Sequence, residues 1–154
     1  MRRLLAAISV APVALALGAC APDPVVVELG FPTESAFVQA RQGRVIVFPL
    51  AEDELGICPE LLHQLEASRF PIEPVFDSEP VDVCELRAAL RLPELAPGPH
   101  AYLVEVRNES ALILQGCAIG EVYTGAGAIR VDLHPTEDFD PASSDMTAEE
   151  KCSR

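Results

Sequence analysis

Residues 128–134 alternate more strictly than any other stretch of this chain. Ile129, Val131 and Leu133 are apolar, and Arg130, Asp132 and His134 between and after them are polar. A strand puts those three apolar side chains on one face, whereas a helix would scatter them around its axis. Residues 100–107 follow the same rule with Tyr102, Val104 and Val106, and 111–117 follows after a turn at Asn108, Glu109 and Ser110. Two earlier runs are β-branched. Residues 25–29 read as a first strand, and Arg44-Val45-Ile46-Val47-Phe48-Pro49-Leu50 is apolar on both faces, as in a strand covered on two sides.

Between these runs the sequence offers one convincing helix, 59–68. Pro59 suits a first helical position, Glu60 favours the positive end of the helix dipole, and Leu61, Leu62 and Leu65 make an apolar stripe. Prolines at 71, 74 and 80 make the stretch after this helix a loop. In 81–92, Leu86, Ala88, Leu90 and Leu92 alternate with Arg87, Ala89 and Arg91, which favours a strand, although Leu86, Ala89 and Leu90 also suit a helical turn. Residues 31–42 carry no clear pattern, and 93–99 is a turn. Strands at this spacing with one short inserted helix imply a mainly β protein, an antiparallel β-sandwich over 25–134. Residues 135–154 are acidic and nearly free of aliphatics, the composition of a flexible tail that Cys152 would tie back to the body.

The amino-terminal segment has a different character. Arg2 and Arg3 precede an uncharged apolar stretch, 4–17, of about 14 residues, short of the ~20 that a spanning helix needs. That is the pattern of a cleavable signal peptide, 1–19. It ends in Leu17-Gly18-Ala19-Cys20, which resembles the lipobox of bacterial lipoproteins. The resemblance implies cleavage before Cys20 and a diacylglyceryl group on its sulfur, usually with a third chain on the new amino terminus. Two or more acyl chains anchor firmly where one does so only marginally. Ala21, which is not Asp, resembles the default routing to the outer membrane in a cell with two membranes. Residues 20–24, with prolines at 22 and 24, are the tether.

Assigning Cys20 to lipid leaves Cys58, Cys84, Cys117 and Cys152, an even set that in an exported chain reads as two disulfides. Of the three possible connectivities, Cys58–Cys84 with Cys117–Cys152 closes the shortest loops and is the expected one. No Cys-x-x-Cys or His-x-x-x-His spacing points to zinc. With the leader removed, 9 basic residues face 24 acidic ones, a net charge of −15 that repels phosphate backbones and argues against nucleic acid.

Nothing in the motifs names a reaction. His63 falls on the solvent side of the helix, His100 at a turn-to-strand junction and His134 at a strand end, all structural settings without a nucleophile elbow or triad motif. Gly116, Gly120, Gly125 and Gly127 lack the Gly-Lys-Ser/Thr end of a phosphate loop. Asp132, Glu137, Asp138, Asp140 and Asp145 form the densest carboxylate group, but their spacing fits no calcium-loop motif, so no metal or other cofactor is expected.

The segment from Leu92-Pro93-Glu94-Leu95-Ala96-Pro97-Gly98-Pro99-His100 through Tyr102, Val104 and Val106, with Ile129-Arg130-Val131-Asp132-Leu133, resembles the end of transthyretin-like domains. Carboxypeptidase regulatory-like and collagen-adhesin B-type repeats are examples. The resemblance implies a transthyretin-like or Ig-like sandwich and bears on fold more than on function. The inserted helix and the four cysteines depart from that pattern, and the single lysine, Lys151, lies in the tail rather than at an isopeptide position. The resulting expectation is a membrane-anchored, non-enzymatic binding or structural module whose partner is an envelope protein or a peptide offered to a sheet edge. Two other readings stay open: an envelope hydrolase built from scattered carboxylates and a histidine, and a calcium-dependent adhesion module.

Overall fold

The computed structural model describes residues 24–153 apart from 66, 68, 110, 124, 126 and 142–144, so the leader, Cys20 and most of the tether lie outside it. In chain order these residues form β1 (Val26–Gly30), α1 (Glu34–Gln39), β2 (Gln42–Pro49), α2 (Cys58–Gln64), β3 (Phe76–Asp77), β4 (Val81–Asp82), α3 (Val83–Arg87) and β5 (Leu90–Arg91). β6 (Gly98–Arg107), β7 (Leu112–Val122), β8 (Ile129–Asp132), β9 (His134–Pro135) and α4 (Ala148–Cys152) follow. The protein is mainly β.

β2, β6 and β7 make the frame. β2 pairs antiparallel with β6 over the whole of β2, Val45 opposite Val104 and Val47 opposite Tyr102. On its other side β6 pairs antiparallel with β7, with one irregularity between Val106 and Arg107. The short strands β3 and β4 both pair with β2, and β9 pairs with β7 at Leu114 and Gln115. A second sheet runs in the order β5–β1–β8. There β1 is antiparallel to β5 but parallel to β8, which departs from the all-antiparallel expectation.

Period-two alternation gives the large sheet two apolar faces. Val45, Val47, Tyr102, Val104 and Val106 enter one core, which also holds Val27 and Val131 of the small sheet and the buried sides of α1, α3 and α4. Ile46, Phe48, Ala101 and Leu103 enter a second core on the opposite face, closed by Leu61 and Leu65 from the α2 segment. β2 is therefore central and covered on both faces, as its sequence indicates, with Val45 through Phe48 fully buried. Gly116 and Gly120 of β7 let the small sheet come close. A Cβ on Gly116 would lie 2.6 Å from the Asp132 carbonyl, and one on Gly120 would meet the side chain of Ile129.

Three expectations need correction. Four short helices replace the single one among the described residues. Residues 81–92 are not one strand: the Asp82 carboxylate accepts the Cys84 N–H at 2.8 Å and starts α3, which buries Val83 and Leu86 three residues apart. Ala89, at φ 77°, then turns the chain into β5. Nor do the described residues of 135–153 trail away. Thr136 donates its N–H to Ile113 and its hydroxyl to Leu112, Phe139 packs against the larger core, and α4 buries Ala148. Composition misleads here because a few well-placed contacts order a polar segment that has no apolar stripe.

Candidate functional site

The four cysteines pair, but as Cys58–Cys117 and Cys84–Cys152, with Cα separations of 5.6 and 5.5 Å. The shortest-loop expectation is overturned by the two faces of the large sheet. Cys58 begins α2, and Cys117 on β7 packs into the core beneath that helix. Cys84 lies in α3 against the opposite core, so it cannot reach Cys58. One bridge ties α2 to β7 of the frame, and the other ties α4 to α3.

The histidines do not converge. His63 is exposed on α2 and His134 is exposed on β9. His100 is buried, with Nδ1 2.9 Å from the Gly98 carbonyl, and its ring lies 6.4 Å from that of Tyr102. Tyr102 is fully buried, and its hydroxyl has no hydrogen-bond partner among the described residues. Burial disfavours the phenolate and pushes the group up to about 12. Asp132 accepts from Arg130 at 2.9 Å instead of joining the tail acids. Among the described residues no group of three or more His, Cys, Asp or Glu could hold a metal ion.

Two charged features emerge that the sequence does not announce. Lys151 on α4 donates to the carbonyls of Phe37, Val38 and Ala40, where α1 ends, and stands 5.3 Å from the Phe37 ring. The three donors of an ammonium match the unpaired carbonyls of a helix end. Burial, followed by the neighbouring Arg41, pushes Lys151 below the usual lysine range, and Asp82 opposes that shift. A groove of about 530 Å³ opens beside it along the Cys84–Cys152 bridge, with Arg41, Asp82 and Glu85 at its rim. Its lysine is already engaged with main chain, so the groove is part of the clasp that holds α4.

The second feature caps the outer face of the large sheet beyond the second core. Arg44 grips Asp77 with two hydrogen bonds, of 2.7 and 2.5 Å, and stands 3.6 Å from Glu105. Arg107 approaches Glu105 from the other side at 3.5 Å. The Asp77 hydrogen bonds raise the Arg44 guanidinium above its ordinary value. Glu105 is buried with an arginine on each side, an arrangement that supports the β2–β6 pairing rather than a reaction.

The edge of β7 is different. β9 covers only Leu114 and Gln115, and no described strand pairs with 116–122 on that side. The Thr136 N–H bonds to the Ile113 carbonyl, which puts the main-chain groups of Ile113 and Gln115 on the β9 side. By alternation those of Cys117, Ile119 and Glu121 face the same way, along the open edge. Ile119 and Glu121 share the outer face; Ile119 and, just past the strand, Tyr123 are 37% and 55% exposed. At the Gln115 end lies a concavity of about 520 Å³ beside α2, rimmed by His63, Glu137 and Asp138. The sequence pattern indicates a strand only over 111–117, which the structure extends to Val122, and a strand pattern cannot tell an edge strand from an inner one. Comparison with family models, with curated proteins and with solved structures returned no match.

Proposed function

We propose that this protein is an envelope lipoprotein, anchored through acylated Cys20 and carrying a non-enzymatic binding or structural module. The single observation that carries this is the accounting of its five cysteines. Setting Cys20 aside for lipid leaves four, and those four form two disulfides with none left over. Paired cysteines belong to an oxidising compartment, the one a lipoprotein signal serves. The two sheets that share one core support a β-sandwich of the transthyretin-like kind. β1 begins at Val26, six residues after Cys20, so the module would sit within about 20 Å of the bilayer, facing the periplasm or the exterior. In a two-membrane cell that bilayer is the outer membrane.

Membrane fractionation of Cys20→Ser tests the anchor. The wild type should stay with membranes through a high-salt wash, and the variant should move to the soluble fraction. A variant that remains membrane-bound would show the lipobox assignment to be wrong. Cross-linking in intact envelopes tests the module and should recover a partner in fixed stoichiometry.

A further inference from the structure

We infer that the open edge of β7, residues 116–122, is where the partner adds, as an extended, basic segment of about seven residues. Three observations on that edge converge. Its outward main-chain donors and acceptors at Cys117, Ile119 and Glu121 have no described strand opposite them. Such a row is a template for another strand unless charge, proline or a cover blunts it; 116–122 contains no lysine or proline, and its one charge, Glu121, repels acidic strands but not basic ones. Ile119 and Tyr123 leave apolar surface beside the template. Acidic groups stand at both ends, Glu121 at one and Glu137 with Asp138 at the other.

The charges choose the occupant. Glu121 and Gln115 are six residues apart on one strand face, about 20 Å. Six residues of the partner would pair along 121–116, with a basic one opposite Glu121, and a basic seventh, turned aside where β9 covers Gln115, would stand at the Glu137–Asp138 rim. Apolar side chains between them on the same face would cover Ile119. A second copy of this chain is disfavoured at the same edge, because each mature copy carries −15. Main-chain pairing would supply the affinity, and the acids would select sign and speed association.

This rests on the binding-module assignment and names the site and the chemistry of its ligand. The test uses the full-length chain in detergent micelles with two fluorescein-labelled peptides, Lys-Thr-Val-Thr-Val-Thr-Lys and Glu-Thr-Val-Thr-Val-Thr-Glu. Anisotropy should show saturable one-to-one binding of the lysine peptide, weakened by salt, and at least about tenfold weaker binding of the glutamate peptide. Ile119→Pro removes one outward N–H without taking a bond from the β6 ladder and should weaken binding about tenfold or more. Glu121→Lys, at an exposed position, should weaken the lysine peptide and strengthen the glutamate one; it decides the matter alone if the proline variant unfolds. No binding of the lysine peptide, equal binding of both peptides, or binding untouched by Glu121→Lys overturns the proposal. So does sedimentation as a dimer that Ile119→Pro dissociates, since the edge would then belong to a second copy. If the peptides fail while cross-linking still recovers a stoichiometric partner, only the edge assignment falls; failure of both removes the module assignment as well.

Discussion

Tyr102 shows how a single side chain can be fixed by its neighbours against its own chemistry. Its position on β6 and its alternation with Val104 and Val106 send the ring into the larger core. Its hydroxyl goes with it and finds no described partner. An unpartnered buried hydroxyl costs about 1–3 kcal/mol. Tyr102→Phe, which keeps the ring, should therefore raise stability in chemical denaturation by about 1 kcal/mol. The same group predicts a pH effect. The unfolded chain releases this proton near 10 and the folded one near 12. Its contribution is complete below pH 10 and falls as pH rises toward 12, by about 1.4 kcal/mol per unit. Denaturation midpoints between pH 9 and 12 should decline in the wild type and decline less in Tyr102→Phe. An equal decline in both would place the effect elsewhere. The residue identity was plain in the sequence, but its lack of a partner was not, because hydrogen bonding depends on what the fold brings within 3.5 Å.

Among the elements, the short helices show what propensity leaves undetermined. α3 and α4 have five residues each, too few to persist on their own. Their caps are local: the Asp82 side chain starts α3, and Thr147 with Glu150 forms a capping box at α4. What keeps α4 in place is not local. It is held by Cys84–Cys152, by Lys151 on the end of α1 and by the Glu34 carboxylate, which accepts the Ala148 N–H at 2.9 Å. Replacing Cys84 and Cys152 together with serine should free α4 first. Hydrogen exchange should then quicken at Ala148–Cys152 and at the end of α1, while β2 and β6 stay protected. Uniform acceleration across β2 and β6 would mean that the bridge supports the whole frame rather than one helix. The chain-entropy model assigns this bridge, which spans 68 residues, about 4 kcal/mol.

At the scale of the whole molecule, the two bridges act on opposite faces of one sheet. Cys58–Cys117 spans 59 residues and is also worth about 4 kcal/mol in the same model. Domains of this size are stable by about 5–15 kcal/mol in total, so the two bridges together amount to a large part of it. The fully reduced protein should lose most of its cooperative thermal transition at 37 °C, whereas either single-bridge variant should keep one. A reduced form with an unshifted midpoint would mean that the cores suffice alone. Alternation in 100–107 and 128–134, with the β-branched run 44–50, determined by itself that the protein is mainly β and which side chains share a face, because side-chain direction along a strand is a local property. Cys58, Cys84, Cys117 and Cys152 were likewise expected to form two bridges, and they do. Only the tertiary structure decided which cysteines meet, that 81–92 breaks into strand, helix and strand, that β1 lies parallel to β8, and that β7 keeps an open edge. Those outcomes depend on which face of the sheet each segment covers, a relation between residues tens of positions apart that no local pattern encodes.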